Sequence, residues 1–268
     1  MKAADKIIQN NNAGKFICIG LDPDINKIPK HLLSYPSPIT AFNKSIIEET
    51  SEYAAAYKLN FAFYESLGSR GFDIIEETLS FIPNHILTIG DAKRGDIENT
   101  SKMYAKSVFE HFNFDSVTVN PYMGKDSIDP FLQYFDKLVF FLTLTSNPGS
   151  ADIEKLILKS GRFLFQEVIT KINHWNQFNN CGLVFGATQN LELQDNINLF
   201  NGMPVLLPGI GEQGGNIDEI FSIFNNAGRK NFIINISRGI IYKDDSVNYS
   251  KAARNEILLL NRRIGKII

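Results

Sequence analysis

The chain of 268 residues carries a formal net charge of −2, with 44% hydrophobic and 21% charged residues. This balance is typical of a globular domain with an ample core, and it excludes a general electrostatic attraction to nucleic acid or to an anionic membrane. No apolar run reaches the roughly 18 residues of a membrane span, and the start of the chain is too polar for a signal peptide. Cys18 and Cys181 lie far apart in apolar stretches and form no CxxC pair, which predicts buried, reduced thiols in a cytoplasmic protein.

Eight short apolar runs predict β-strands along the chain. In chain order they cover residues 16–21, 54–60, 85–91, 115–120, 138–144, 181–186, 203–207 and 232–236. The segments between them are long enough for crossover helices, and helical spacing is visible in the stretches 38–47, 74–81, 96–108, 163–175 and 217–224. Near-continuous apolar strands that alternate with helices indicate buried parallel strands with the helices outside.

The simplest closed arrangement of these units is a (β/α)8 barrel, the TIM-barrel fold, with residues 1–268 as a single domain. An open doubly wound sheet is the alternative, and eight regular units favour closure. Polar residues mark the ends of the predicted strands, namely Asp22, Lys58, Asn60, Asp91, Lys93, Asn120, Ser146 and Arg238. Because barrel enzymes carry their catalytic groups at the carboxyl ends of strands, the sequence predicts an active site there.

The charged segment 91–100 follows the third predicted strand. Alternation along a strand places Asp91 and Lys93 on one face, and Asp96 is suited to cap the N-terminus of the next helix. Thr100 would then share a helical face with Asp96. These residues indicate a charged site, with a solvated loop of ionic residues as the alternative.

Lys58 lies inside an otherwise apolar strand. One interpretation is a Schiff-base lysine, which requires a depressed pKa. Carboxylates at neighbouring strand ends would instead raise the pKa of Lys58 and keep the amine protonated. A row of alternating charges with Asp91 and Lys93 is therefore favoured, and a lysine that extends from the strand end into solvent is the remaining alternative.

A glycine-rich loop follows the seventh predicted strand. Its residues 209–214 match GxGxxG, which favours a dinucleotide site only when it opens a first βαβ unit. In a barrel, the loops after strands seven and eight commonly bind a phosphate through backbone N–H groups. Arg238, flanked by Ser237 and Gly239, supplies a guanidinium for the same purpose. The sequence thus predicts a monophosphate site, with glycines that only shape turns as a further alternative.

Two other kinds of site are weaker matches. The apolar run before Asp22 and Asp24 resembles the start of haloacid-dehalogenase-type phosphatases, which bind Mg²⁺ through both carboxylates. Ile25 stands where those enzymes have a hydroxyl residue or valine, and Asp24 is interpreted as a turn residue. The four histidines are scattered without metal-ligand spacing, so they are expected at the surface or in packing contacts.

Motifs spread over nearly the whole chain are similar to those of the orotidine 5′-phosphate decarboxylase family, in particular its longer-chain bacterial subgroup. The most specific is DAKRGDI at 91–97, with Thr100 at the family's spacing. Other matches are LDP at 21–23, NPYMG at 120–124, TSNPG at 145–149, PGIGEQGG at 208–215 and SRG at 237–239. No signature position departs from the family pattern.

The resemblance implies decarboxylation of orotidine monophosphate to uridine monophosphate, the last step of de novo pyrimidine synthesis, without a metal or an organic cofactor. It implies a homodimer in which Asp96 and Thr100 reach into the partner's site, and in which Lys93 protonates C6 of the pyrimidine. The charged tetrad that it implies is Lys58, Asp91, Lys93 and Asp96. The implied binding residues are Asp22 and Thr100 for the ribose, Ser146 or the adjacent Thr145 for the pyrimidine, and Gln213, Arg238 and Gly239 for the phosphate.

Two rival functions are weighed against this one. Sugar-phosphate relatives of the family, such as keto-gulonate-phosphate decarboxylase, share the Asp-x-Lys-x-x-Asp signature but use Mg²⁺ and carry an acid in place of Lys58. A non-catalytic nucleotide-binding protein on the same barrel would be expected to lack part of the tetrad. All four members of the tetrad are present, which favours the nucleotide enzyme.

Overall fold

The computed structural model describes residues 1–210 and 214–265. Within these residues eight strands are present, one for each predicted run: β1 Ile17–Gly20, β2 Ala56–Asn60, β3 Leu87–Arg94, β4 Ser116–Val119, β5 Leu138–Leu144, β6 Cys181–Phe185, β7 Val205–Pro208 and β8 Phe232–Ile236. Each strand pairs in parallel with its neighbours in sequence order, and β8 pairs with β1, which closes the sheet. The prediction of a (β/α)8 barrel is confirmed, and the alternative, an open doubly wound sheet, is excluded by the pairing of β8 with β1.

Helices occupy the segments between the strands and both ends of the described chain. The α-helices are α1 Ala3–Asn12, α2 Pro38–Thr50, α3 Phe61–Glu65, α4 Ser69–Ser80, α5 Glu98–Lys106, α6 Asp129–Leu132, α7 Ser150–Ile153, α8 Leu164–Trp175, α9 Asn190–Asn196, α10 Ile217–Asn226, α11 Arg238–Ile241 and α12 Tyr249–Gly265. Shorter 3₁₀ turns cover Lys30–Ser34, Pro121–Met123 and Ile197–Phe200, and a π-helical turn, Ser107–His111, continues α5. The five predicted helical stretches correspond to α2, α4, α5, α8 and α10.

The apolar core lies on both sides of the sheet. Strand side chains alternate between the inside of the barrel, where Ile89 and Phe140 are buried, and the layer under the helices. Helix α1 adds Ala3 and Ile7 to the inner cluster and covers the amino ends of the strands. The carboxyl ends remain available for a site.

Both cysteines are buried and form no disulfide, as the sequence predicts. Burial raises the pKa of the Cys181 thiol to about 12, and it also raises that of Cys18. Both thiols therefore stay protonated at neutral pH and act as small apolar side chains. The four histidines, His31, His85, His111 and His174, are all exposed.

Strand β3 departs from the predicted geometry. It continues past residue 91 to Arg94, its pairing with β4 shifts register between Gly90 and Arg94, and Lys93 has a φ of +48°. Such a bulge bends a strand and redirects its side chains. Strict alternation therefore does not describe this segment, although the side chains of Asp91 and Lys93 still meet.

The prediction that Asp96 caps the following helix was wrong. Helix α5 begins at Glu98 with Ile97 at its N-cap, and no side chain caps it. The Asp96 carboxylate accepts the backbone N–H of Ile97 at 2.8 Å. Ile97 precedes the first helical residue, Glu98. Because the Asp96 carboxylate is bonded to the Ile97 amide, it does not accept an N–H group of the first helical turn, as a capping side chain would.

Candidate active site

A cavity of about 630 Å³ opens at the carboxyl ends of the barrel strands. Most of the predicted site residues line it, namely Asp22, Lys58, Asn60, Asp91, Lys93, Ser146, Arg238 and Gly239. Thr145, the alternative to Ser146, lines it as well. They come from five different strand ends, and closure of the barrel is what brings them together.

A row of alternating charges crosses the floor of this cavity. Lys58 Nζ donates to Asp91 Oδ2 at 2.9 Å, and Lys93 Nζ donates to Asp91 Oδ1 at 2.6 Å. Asp22 Oδ1 lies 3.8 Å from Lys58 Nζ on the other side. Lys58 and Asp91 are 4% and 8% exposed, whereas the Lys93 side chain is 49% exposed and faces the opening. The row is therefore fixed at its buried end and accessible at Lys93.

The charges of Lys58 and Asp91 support each other. Burial disfavours the Lys58 ammonium, but the carboxylates of Asp22 and Asp91 outweigh burial and raise the pKa of Lys58 above its ordinary value. Burial likewise disfavours the Asp91 carboxylate, but the ammonium groups of Lys58 and Lys93 lower its pKa well below the ordinary value. Lys58 is thus a cation and Asp91 an anion throughout the neutral range, which argues against a Schiff-base role for Lys58.

Thr118 belongs to this row, although no motif in the sequence marks it. It projects from β4, is 1% exposed, and its hydroxyl donates to Asp91 Oδ1 at 2.9 Å. The hydroxyl oxygen of Thr118 also accepts the backbone N–H of Lys93 at 3.0 Å. Ser116 and Thr118 alternate with valines in β4, and this pattern of polar residues on the inner face was the available signal.

The loop after β5 is held by further residues that no sequence motif marks. Glu154 accepts the backbone N–H of Thr145 at 2.7 Å and its hydroxyl at 3.0 Å. Gln189 Nε2 donates to the Thr145 carbonyl at 3.2 Å, and Lys155 in turn donates to Gln189 at 2.8 Å. Glu154, Gln189 and Lys155 therefore hold the turn that carries Ser146 into the cavity.

The opposite wall of the cavity is formed by the ends of β7 and β8. Gly209 lines it with a φ of +106°, and Arg238 lies at the start of the short helix α11. Ser237 donates to the Gly20 carbonyl at 2.9 Å, which ties this loop to the end of β1. Gln213, predicted to bind phosphate, lies outside the described residues. Since the glycine-rich loop follows strand seven of a closed barrel, a dinucleotide site is not favoured.

Three residues at or near strand ends are not brought into the cavity of this chain. Asp96 is partly exposed and Thr100 is exposed at the start of α5, and neither lines the cavity. Asn120 accepts the backbone N–H of Tyr122 and caps the following 3₁₀ turn. Of the four residues predicted to form a charged tetrad, the cavity of this chain contains Lys58, Asp91 and Lys93.

Other kinds of site find little support in the described part of the chain. Asp24 accepts the backbone N–H of Asn26 at 3.0 Å, which is the contact of a turn residue. Among residues 1–210 and 214–265, no three histidine, cysteine or acidic side chains are grouped so as to hold a metal ion. The helices described here include none with the length and apolar character of a membrane span.

The closed barrel and the charged cavity at its carboxyl end place the chain in the class of (β/α)8-barrel enzymes. Residues 15–253 match the model of the "Orotidine 5'-phosphate decarboxylase / HUMPS family". The chain belongs to this family, as its motifs predict.

Individual relatives agree with this assignment. Orotidine 5′-phosphate decarboxylase of Bacteroides fragilis is 47% identical over 242 residues, which are 89% of this chain and 88% of the relative. The structure of Leishmania donovani OMP decarboxylase is 34% identical with a TM-score of 0.83, over 98% of this chain and all of the other. The structure of Leishmania donovani UMP synthase is 35% identical with a TM-score of 0.86, over 97% of this chain but 55% of that longer one. The prediction of an enzyme, a carboxy-lyase, is confirmed.

Proposed function

We propose that this protein decarboxylates orotidine 5′-monophosphate to uridine 5′-monophosphate and CO₂ in the cytoplasm, as a step of pyrimidine biosynthesis. The observation that carries the proposal is the row of charges in which Asp91 lies between Lys58 and Lys93, at 2.9 Å and 2.6 Å. The names of the relatives support the same substrate. The reduced state of the two buried cysteines is consistent with the cytoplasm.

The substrate is proposed to span the cavity from the β7–β8 wall to the charged row. Its phosphate binds Arg238, Gln213 and the backbone at Gly239, its ribose binds Asp22, and its pyrimidine binds Ser146. The Thr145 hydroxyl is already held by Glu154 and Asn147, at 3.0 Å and 2.6 Å. Thr145 lines the cavity beside Ser146 and stays the alternative contact for the pyrimidine.

The proposed chemistry places Lys93 beside C6 of the pyrimidine. The bond between C6 and the carboxylate breaks, CO₂ leaves, and the electron pair stays on C6, where no adjacent carbonyl delocalises it. The Lys93 ammonium stabilises the developing charge and then transfers a proton to C6. Because Lys93 faces the opening of the cavity, the resulting amine can regain a proton from water.

Asp91 is proposed to lie against the carboxylate of the substrate. Its negative charge is held by the two lysines and by Thr118, so it cannot move away when a second carboxylate approaches. The repulsion is relieved when CO₂ leaves, while the attraction of Lys93 for C6 grows. Binding of the remote phosphate positions the pyrimidine against the charged row. Its binding energy therefore contributes to stabilisation of the transition state.

The proposed reaction uses no metal ion. Both oxygens of Asp91 already accept hydrogen bonds from ammonium groups, so a divalent cation would have to displace two positive charges. Lys58 occupies the position at which the Mg²⁺-dependent sugar-phosphate relatives are expected to carry an acid. These two features favour the nucleotide enzyme over that branch of the family.

The active unit is proposed to be a homodimer with shared sites. The partner subunit's Asp96 would complete the tetrad, and the partner subunit's Thr100 would bind the ribose. Ile97 and Met103, apolar side chains on the same segment, are 54% and 56% exposed, as expected of a surface that is covered in a dimer. This arrangement would account for the position of Asp96 and Thr100 outside the cavity of their own chain.

An absorbance assay tests the proposed function. Purified protein is expected to consume orotidine monophosphate at an unchanged rate after dialysis against EDTA, with uridine monophosphate as the product. Keto-gulonate phosphate with added Mg²⁺ serves as the comparison substrate. Activity that is abolished by EDTA, or that is confined to the sugar phosphate, would assign the protein to the other branch, and binding without turnover would make it a nucleotide-binding protein.

A further inference from the structure

Thr118 is the one uncharged side chain of the described residues that hydrogen-bonds both Asp91 and Lys93. Its hydroxyl hydrogen is directed to Asp91 Oδ1 at 2.9 Å, and its lone pair receives the backbone N–H of Lys93 at 3.0 Å. The side chain is buried within β4. A single oxygen atom therefore connects two residues of β3 to the neighbouring strand.

The backbone at Lys93 needs such support. A φ of +48° is in the left-handed region, which is unfavourable for a residue with a Cβ and persists only when the surroundings hold it. The backbone pairing of β3 with β4 is interrupted between Gly90 and Arg94. At this interruption, the Thr118 hydroxyl takes the place of a carbonyl acceptor for the Lys93 amide.

The direction of the Lys93 side chain depends on this backbone conformation. The Lys93 side chain is about half exposed, and among the described residues it forms an ion pair with Asp91. A lysine has many rotamers, so an ammonium with so little packing around it is placed mainly by its backbone and by that carboxylate. Both of these are in contact with Thr118.

We propose that Thr118 is a positioning residue for the decarboxylation, one that sets the placement of the Lys93 ammonium relative to Asp91 without acting on the substrate. This inference rests on the proposed function of Lys93 and Asp91. Loss of the hydroxyl leaves the Lys93 amide without its acceptor and lets the strained segment relax. The buried pair of Lys58 and Asp91 stays intact, so the barrel is expected to fold.

The test compares three variants with the wild type. Thr118→Val removes the hydroxyl and keeps the shape of the side chain, whereas Thr118→Ser keeps the hydroxyl. Thr143→Val is the matched control, because the Thr143 hydroxyl is also buried but donates to the Val184 carbonyl at 2.6 Å, away from the charged row. Steady-state kinetics give kcat, and calorimetry gives the Kd for uridine monophosphate.

The inference predicts a split between turnover and binding. Thr118→Val should lower kcat by about 10- to 100-fold, the scale on which a small displacement of a reacting group acts, while the Kd for uridine monophosphate changes less than about 3-fold. Thr118→Ser and Thr143→Val should keep kcat within about 3-fold of the wild type. An unchanged kcat in Thr118→Val, an equal loss in Thr118→Ser, or a parallel loss of binding would overturn the positioning role.

Crystal structures of the wild type and Thr118→Val separate this inference from the proposed function. In the variant, the Lys93 backbone is expected to leave the left-handed region, or its Nζ to move away from Asp91. A wild type without decarboxylase activity would refute the proposed function alone. Unchanged Lys93 geometry in the variant crystal would refute the positioning role, whatever the activity.

Discussion

Replacement of Lys93 by alanine is expected to lower kcat by at least about 10³-fold, because one change removes both an electrostatic stabiliser and the general acid. Lysine and alanine both carry a Cβ, so the cost of the left-handed backbone at this position is the same in both proteins. Asp91 keeps its contacts with Lys58 and Thr118. The protein should therefore stay folded and still bind uridine monophosphate.

Steady-state kinetics and calorimetry on Lys93→Ala check this expectation. Lys171→Ala is the matched control, since Lys171 pairs with Glu167 on the outer helix α8, and its turnover should equal that of the wild type. Near-normal turnover in Lys93→Ala would rule out Lys93 as the proton donor. A loss of nucleotide binding equal to the loss of turnover would instead make Lys93 a binding residue.

Mixing two inactive variants is expected to restore activity if the sites are shared between subunits. Asp96→Ala should be inactive because it removes the fourth member of the tetrad from the partner's site, and Lys93→Ala is inactive for the reason above. A mixed dimer has one site with both substitutions and one site with neither. Random reassociation of equal amounts should thus recover about one quarter of the wild-type activity.

The control for this experiment is the same mixing without exchange of subunits. The two variants, combined under conditions that prevent dissociation, should remain inactive. Verified mixed dimers that show no recovery would mean that each subunit supplies its own Asp96, and the shared site would be abandoned.

Much of the fold was predictable because the strands are buried on both faces. A strand that is apolar at most positions leaves a near-continuous signal, and eight such runs with helix-length spacers have few solutions. The location of the site was predictable from the same topology, because the parallel strands of a barrel bring their carboxyl ends to one rim. The side chains of Lys58 and Asp91, on neighbouring strands and 33 residues apart in the chain, form a hydrogen bond for this reason.

The details of β3 could not be predicted from the same pattern. Alternation along the strand correctly predicted that the side chains of Asp91 and Lys93 lie together. It did not predict the left-handed φ of Lys93, which occurs where the register of β3 shifts against β4. The cap prediction at Asp96 failed because local propensity identifies an acceptor and not the amide that it will meet. Such choices depend on the neighbouring strand and loop, which the local sequence does not contain.

Residues that support the site from other segments were missed for a related reason. Thr118 and Glu154 act through hydrogen bonds to Asp91 and Thr145. Each pairing joins separate elements, and a threonine or glutamate in isolation carries no motif. Only the closed barrel shows which polar groups they satisfy.

The fate of the proton at C6 tests the central claim most directly. When the enzyme turns over orotidine monophosphate in D₂O, the uridine monophosphate product should carry deuterium at C6, because the Lys93 ammonium exchanges with solvent before it donates. In proton NMR the product should therefore lack the signal of the C6 proton. The rate of deuterium incorporation should equal the rate of substrate loss. Absence of uridine monophosphate, or a product with protium at C6, would contradict decarboxylation with protonation by Lys93.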